Sequence, residues 1–136
     1  MANEFARRLQ DAGVNPAARA LPNGAATVNG ASIDLGGVDP WLADVEFEVV
    51  APALTNTQCA SAETVVYGIE DSDDDSDFAD LITLDELDQT GAGSGVATAT
   101  QRFRLPSTTN RYIRLSIVKT GAGNASASTA TLTANF

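Results

Sequence analysis

Alternating apolar and polar residues define most of the chain from residue 32 onward. In the segment Asp44 to Val50, the apolar side chains Val45, Phe47 and Val49 alternate with acidic ones. This period of two predicts a strand with one buried and one solvated face. The same alternation recurs in the segments 64–69, 96–105, 111–119 and 128–136. Residues 80–87 form a mixed apolar run that fits either a strand or a short helical turn.

Turn signals separate these segments, among them Gly36-Gly37, Gly91–Gly95 and Gly121–Asn124. A further short strand is predicted at residues 32–35. No segment is long enough for the helical crossover that parallel strands require. Seven or eight short strands of this kind predict an all-β protein, an antiparallel jelly-roll-like β-sandwich over residues 32–136.

Residues 1–31 have a different character, dominated by small residues. A short helix with Phe5 and Leu9 on one side is predicted near the start, and Pro16 and Pro22 interrupt any longer pattern. Such a segment packs poorly by itself. It is interpreted as an extended N-terminal arm lying on another surface, or as a terminus without fixed structure.

The net charge of −10 is unevenly distributed along the sequence. Residues 1–88 hold all 18 Asp and Glu with three arginines, net −15, whereas residues 89–136 hold four arginines and one lysine, net +5. Neutralisation within one folded domain is the favoured interpretation, and steering of a charged partner is the alternative. The acidic balance argues against binding nucleic acid, whose phosphates require a basic surface.

Catalytic chemistry finds little support in the sequence. The chain has no histidine, so Ser-His-Asp and Cys-His arrangements are excluded, and Cys59 is the only cysteine. We expect a reduced, partly buried thiol there. No phosphate-binding loop occurs, so no cofactor is predicted and the protein is expected not to be an enzyme. No apolar run spans a membrane and no secretory signal is seen, which favours synthesis in a cytosol.

One acidic segment, residues 70–80, has some character of a metal site. Carboxylates recur at every second position, and calcium prefers several oxygen ligands of this kind. The predicted ligands are Asp71, Asp73, Asp75 and Asp77. The match to a helix–loop–helix calcium loop stops where Ser76 replaces the turn glycine. A solvated acidic hairpin is therefore the favoured interpretation.

Several residues are candidates for contacts with a partner. Arg102, Arg104 and Arg114 can share the face of the strands opposite the core, where arginine suits pairing with carboxylates. Ordinary surface charge is the alternative. Trp41, which follows a turn, fits either a core position or an exposed interface anchor.

The order of these features resembles the cement, or decoration, proteins of tailed bacteriophage capsids. The matching motifs are, in chain order, Ile33-Asp34-Leu35-Gly36, the strand Val45 to Val50, a polar loop at Asp73 to Leu81, Asn110-Arg111-Tyr112-Ile113-Arg114-Leu115, and an Ala/Thr-rich last strand at Thr129 to Phe136. The resemblance covers about residues 30–136, and none of its motifs is catalytic. The acidic loop is richer in carboxylates than expected for the family.

The resemblance implies a jelly roll made in the bacterial host cytoplasm that docks on the outer surface of the capsid, between capsomers. The major capsid protein would be its partner, and it would act as a homo-oligomer, either dimer or trimer. The N-terminal arm and the arginines are the expected contact elements, namely Phe5, Arg7, Arg8, Leu9, Arg102, Arg104 and Arg114. The alternative is a β-sandwich module that binds carbohydrate with the help of calcium.

Overall fold

The computed structural model describes residues 17–36 and 45–135, which form two antiparallel sheets packed face to face. In chain order the strands are β1 Ala17–Ala20, β2 Ala26–Asn29, β3 Ile33–Asp34, β4 Glu46–Ala51, β5 Thr64–Ser72, β6 Ala79–Thr83, β7 Gln89–Thr90, β8 Ala99–Arg104, β9 Tyr112–Lys119 and β10 Thr129–Asn135. Sheet A has the spatial order β1-β10-β4-β8. Sheet B has the order β2-β9-β5-β6, with β3 also on β9 and β7 also on β5.

The strand order is that of a jelly roll. β2 and β3 lie end to end along β9, and β6 and β7 lie end to end along β5. Counting each such pair as one position gives eight positions, ordered 1-8-3-6 in sheet A and 2-7-4-5 in sheet B. All pairings among the described strands are antiparallel, so the predicted jelly-roll-like β-sandwich is confirmed.

The core follows the alternation predicted from the sequence. The inward-facing residues of β4, β5, β9 and β10 are buried, namely Phe47, Val49, Val65, Tyr67, Ile69, Ile113, Leu115, Ile117, Ala130, Leu132 and Ala134. The ring of Phe47 stacks on Phe103 of β8, with centroids 5.6 Å apart. The ambiguous run at residues 80–87 contains both predicted forms, because β6 is followed by a 3₁₀ turn at Asp85–Leu87.

The structure differs from the predicted arm at residues 17–31, because this segment already belongs to both sheets. β1 pairs with β10 and β2 pairs with β9. Between these strands, Leu21 and Pro22 are buried, and the Leu21 N–H donates to the Ser128 carbonyl at 3.0 Å. These strands are held by backbone hydrogen bonds and consist mostly of small residues. Apolar periodicity therefore did not predict them. Residues 1–16 lie outside the described residues.

A buried amide connects the two sheets. The Tyr67 hydroxyl donates to Gln89 Oε1 at 2.8 Å, and Gln89 Nε2 donates to the carbonyls of Pro52 and Ala97 at 2.8 and 3.2 Å. Tyr67 and Gln89 belong to sheet B, whereas Pro52 follows β4 and Ala97 precedes β8 in sheet A. Burial raises the pKa of Tyr67, so its hydroxyl stays a donor.

A second buried polar cluster closes one end of sheet B. The side chain of Lys119 is fully buried, and its Nζ donates to Glu63 Oε2 and to the Thr120 carbonyl, each at 3.0 Å. The Glu63 carboxylate also accepts the backbone N–H of Ala60 at 3.1 Å and that of Gly123 at 3.3 Å. The hydrogen bond from Lys119 is the main cause of the lowered pKa of Glu63. The buried ammonium is thus neutralised in place.

We predict that Tyr67→Phe lowers the free energy of unfolding by about 1–3 kcal/mol, because Gln89 Oε1 is left buried without a donor. Urea denaturation monitored by circular dichroism measures this change. Tyr112→Phe is the matched control, since Tyr112 is only half-buried, and it should shift stability by less than about 0.5 kcal/mol. Equal effects of the two substitutions would contradict the role given to Gln89.

We also predict that Glu63→Gln is destabilising at neutral pH and that its effect diminishes in acid. The folded-state pKa of Glu63 lies below its ordinary value of 4.5. Its contribution to stability is therefore present above the unfolded pKa and is lost as the pH falls through the folded pKa. Urea midpoints at pH 7 and in progressively more acidic buffer measure the difference between wild type and variant. Glu86→Gln, at the exposed 3₁₀ turn, is the control, and a pH-independent effect of Glu63→Gln would contradict the prediction.

Candidate binding face

The outer face of sheet B carries three rows of residues that run across its strands. Strand register places them side by side, because paired positions on neighbouring strands share a face. They are a valine row of Thr27, Val118 and Val66, a small-residue row of Asn29, Ser116, Gly68 and Thr83, and a charged row of Arg114, Glu70 and Asp80. At the usual strand spacing of about 4.8 Å, a row across four strands is about 14 Å long.

A groove with a volume of about 160 Å³ lies along the small-residue row. Val66 and Val118 line one side and Asp80 the other, with Gly68 and Ser116 between them. Val66 and Val118 are 36% and 42% exposed, and they are the two large apolar side chains exposed within the described residues. This face is the strongest candidate for a binding surface, since it combines an apolar side with polar groups.

Backbone is accessible at the groove floor because Gly68 has no side chain. A Cβ at this position would lie 3.2 Å from the carbonyl oxygen of Ile82. Glycine within a strand often marks a place where another chain or a ligand approaches closely. The sequence pattern alone did not predict this groove. Its sequence signal was Gly68 in mid-strand beside Val66, an apolar residue at an outward position of β5.

The charged row is held by a cross-strand ion pair. The Arg114 guanidinium donates to Glu70, with Nη2 2.6 Å and Nε 2.8 Å from Oε2. Its Cζ also lies 3.9 Å from the ring centroid of Phe78. The two charged side chains are 24% and 15% exposed. Arg114 is therefore committed to neighbours in its own chain, and its aromatic contact adds to the ion pair.

Beside this ion pair, segments that are distant in sequence meet at one corner of sheet B. Asp34 of β3 accepts two hydrogen bonds from the Arg111 guanidinium, both at 2.8 Å. The Asp71 carboxylate, which is buried, accepts the backbone N–H of Asn110 at 2.7 Å. The Leu35 N–H donates to the Arg111 carbonyl at 2.8 Å. We call this region the motif corner, and it comprises Asp34, Leu35, Glu70, Asp71, Phe78, Asn110, Arg111 and Arg114.

The acidic loop after β5 is organised by its own backbone. Asp74 Oδ1 accepts the Ser72 hydroxyl at 2.8 Å and the backbone N–H groups of Ser76 and Asp77 at 2.9 Å each. These backbone hydrogen bonds are the main cause of the lowered pKa of Asp74. This geometry is that of an Asx turn, in which the carboxylate replaces a backbone acceptor.

The predicted calcium ligands do not assemble into a site in the structure. Asp71 is turned to Asn110 in the motif corner, whereas Asp73, Asp75 and Asp77 are exposed on the loop. Across the described ranges, no group of three or more His, Cys, Asp or Glu side chains is arranged to hold a metal ion. The reason is local, since Asp71 continues β5 and is buried there while the loop turns away.

The predicted arginine face is divided between the two sheets. Arg102 and Arg104 lie on β8 in sheet A, whereas Arg114 lies on β9 in sheet B. The prediction that the three share one face is therefore wrong, because their outward directions are opposite. Arg102 contacts Glu48 at 2.8 Å and Glu46 at 3.5 Å across the sheet. Arg104 is exposed and has no ion pair among the described residues.

Neutralisation within the domain, the favoured interpretation of the charge asymmetry, is confirmed by the ion pairs. Each ion pair found among the described residues joins a cation after residue 88 to a carboxylate before it. The pairs are Arg102 with Glu46 and Glu48, Arg111 with Asp34, Arg114 with Glu70, and Lys119 with Glu63. Sheet pairing brings the two parts of the sequence together, so the charge that remains is acidic.

Cys59 is buried, and its sulfur forms no disulfide. Its Sγ donates to the Glu63 carbonyl at 3.5 Å, and burial raises the pKa of its thiol. The thiol thus stays protonated and packs as a small apolar group, fully buried where partial burial was predicted.

The remaining predicted contact residues, Phe5, Arg7, Arg8, Leu9 and Trp41, lie outside the described residues. Their roles stay predictions. Within the ranges that are described, no helix is long and apolar enough to cross a membrane.

We predict that Arg114→Met lowers the free energy of unfolding by about 2 kcal/mol, because it leaves the Glu70 carboxylate without its partner in a largely buried position. Arg102→Met is the matched control, since it breaks another cross-strand Arg–Glu pair whose arginine is 64% exposed. That change should cost below about 1 kcal/mol. Urea denaturation of both variants measures the difference, and equal costs would contradict the distinction.

No protein-family model and no curated protein sequence match the chain. Among solved structures, the chain is similar to CBM27-1 of Caldicellulosiruptor saccharolyticus in complex with mannohexaose, with 12% identity, a TM-score of 0.47 and coverage of 82% of this chain and 66% of that one. It is also similar to CBM32 of AlyQ in complex with 4,5-unsaturated mannuronic acid, with 19% identity, a TM-score of 0.34 and coverage of 89% and 76%. A CBM4 structure is similar with 15% identity, a TM-score of 0.34 and coverage of 94% and 95%. The likeness is limited to the β-sandwich fold.

Proposed function

We propose that this chain is a structural protein of a tailed-bacteriophage virion, which binds the outer capsid surface between capsomers and stabilises the shell. The observation that carries the proposal is the motif corner. The motifs on which the resemblance to cement proteins rests are far apart in sequence, and three of them meet there. They contribute Asp34 from the first motif, Arg111 and Arg114 from the strand near the end, and Phe78 from the polar loop.

The physical meaning of this corner is that the motifs depend on one another. Asp34 pairs with Arg111 across 77 positions of sequence, and the Arg114 guanidinium lies over the ring of Phe78 from the polar loop. Each motif alone is weak evidence for the resemblance, but side chains that contact each other in the fold are expected to occur together. This interdependence supports treating the resemblance as one structural unit. It supports the capsid function only through that resemblance.

The proposed mechanism is mechanical and involves no catalysis. Pressure from packaged DNA tends to separate neighbouring capsomers, and a domain that buries surface on two of them opposes the separation. A dimer or trimer arranged with the symmetry of the shell would engage several sites at once, so modest contacts would add up. The major capsid protein is the proposed partner, and the virion surface is the proposed location.

We predict that the purified protein sediments with bare expanded capsids, saturably and at a fixed ratio to the major capsid protein. Arg104→Glu should weaken this binding about tenfold, equivalent to about 1.4 kcal/mol, because Arg104 is a predicted contact residue that is exposed and has no ion pair among the described residues. Arg19→Glu is the control, because it makes the same charge change on the exposed edge strand β1. Absence of saturable binding by the wild type would contradict the proposed function.

Carbohydrate binding is the second candidate, and the groove on sheet B is the observation that favours it. Asp80, Thr83 and Ser116 offer a carboxylate and two hydroxyls beside the aliphatic side chains of Val66 and Val118. Such a mixture suits a ligand with both apolar and hydroxyl-bearing surfaces. Calcium assistance is not part of this candidate, since the predicted aspartates do not converge. Calorimetric titration with soluble polysaccharides such as mannan and alginate would test it.

A further inference from the structure

We infer that the groove on sheet B is the docking site for an extended protein segment that carries an aliphatic side chain next to a lysine or arginine. The inference rests on the proposed function to the extent that the natural partner is a protein of the capsid shell. The groove is a different surface from the motif corner and from the predicted arm, and it requires a partner with its own chemistry.

The valine row supplies the apolar part of the site. Val66 and Val118 are directly opposite each other on β5 and β9, which brings their side chains together. Both are more than a third exposed, although the outward positions nearby on these strands hold glycine, serine and charged residues. An aliphatic side chain placed against this pair would remove apolar surface from water on both partners.

The groove floor supplies space for a docked backbone. Gly68 and Ser116 leave room for a backbone to approach, since neither carries a large side chain between Val118 and Asp80. A docked backbone can therefore lie along the small-residue row, between the two valines and Asp80.

The opposite wall supplies negative charge. Glu70 is neutralised by Arg114, whereas Asp80 is exposed and forms no ion pair within the described ranges. The cations of β9 are paired within the domain, and the chain as a whole carries −10. A cationic side chain in the partner is therefore complementary to this wall, and an anionic one is repelled.

A peptide fits these walls better than a sugar does. The one aromatic residue lining the groove is Tyr67, whose ring is buried and whose hydroxyl is bound to Gln89. Sugar rings are typically held on exposed aromatic faces, and the exposed lining of this groove is aliphatic. Asp80 would also have no counter-charge on a neutral glycan.

The probes for the test are two capped seven-residue peptides that alternate valine with arginine or valine with glutamate, each titrated calorimetrically into the full chain. We expect the arginine peptide to bind and the glutamate peptide not to bind. Asp80→Asn and Val118→Thr should each weaken binding of the arginine peptide about tenfold, and only Asp80→Asn should also reduce its salt dependence.

The control substitutions are placed at residues that do not line the groove. Asp85→Asn matches the charge change at an exposed turn, and Val50→Thr matches the valine change on the outer face of sheet A. Both should bind the arginine peptide as the wild type does. Urea midpoints close to that of the wild type establish that all four variants are folded.

Two results would overturn the inference: no binding of the arginine peptide by the wild type, or equal weakening by groove and control variants. Mannan or alginate binding that Val118→Thr abolishes, without peptide binding, would assign the groove to carbohydrate instead. Capsid sedimentation separates the inference from the proposed function. Loss of capsid binding in the Asp80→Asn and Val118→Thr variants supports both the inference and the proposed function. Unchanged capsid binding by these variants overturns the capsid shell as the occupant of the groove. Peptide binding by a wild-type protein that does not bind capsids refutes the proposed function alone.

Discussion

Both sheets of this protein are completed by the last two strands of the chain. β9 lies between β2 with β3 on one side and β5 on the other, while β10 lies between β1 and β4. Neither sheet is continuous until these strands are in place. The contacts that hold the fold are consequently distant in sequence, a topology that is associated with slow folding. The pairing also explains part of the electrostatics, because β9 brings Arg111, Arg114 and Lys119 to Asp34, Glu70 and Glu63 on or beside its neighbouring strands.

The same insertion places the polar clusters at structurally sensitive points. Lys119 ends β9 and is neutralised by Glu63, which precedes β5, so the two central strands of sheet B are tied at one end. Arg114 and Glu70 tie the same strands further along, beside the motif corner. The Gln89 amide then links this sheet to sheet A. Between these ties, the outer face of sheet B is free for the groove.

Local alternation was sufficient to predict the strands whose two faces differ strongly. The segment around Phe47 and the segment around Leu115 fold as expected, because burial of one face determines which residues turn inward. The strand β1 was not predicted, since Ala17–Ala20 offers almost no contrast between faces and is held by backbone hydrogen bonds to β10. The register of a pairing can fix a strand whose own sequence does not.

The groove and the division of the arginines could not be predicted for a related reason. Alternation states which way a side chain points from its strand, but not which sheet the strand joins. Arg102 and Arg114 both point outward as predicted, yet on opposite sides of the sandwich. The groove likewise depends on Gly68, Ser116 and Thr83 being aligned across three strands, which only the register reveals.

Lys119 is the only lysine in the chain, and its amine is enclosed by Glu63 and the backbone around it. Reagents that acylate lysine therefore cannot reach this position while the end of sheet B is closed. The native domain offers no lysine for cross-linking to a neighbour or for attachment to an activated surface. The rate of Lys119 acylation would instead report how often this end of sheet B opens, since each modified molecule must have exposed its amine at least once.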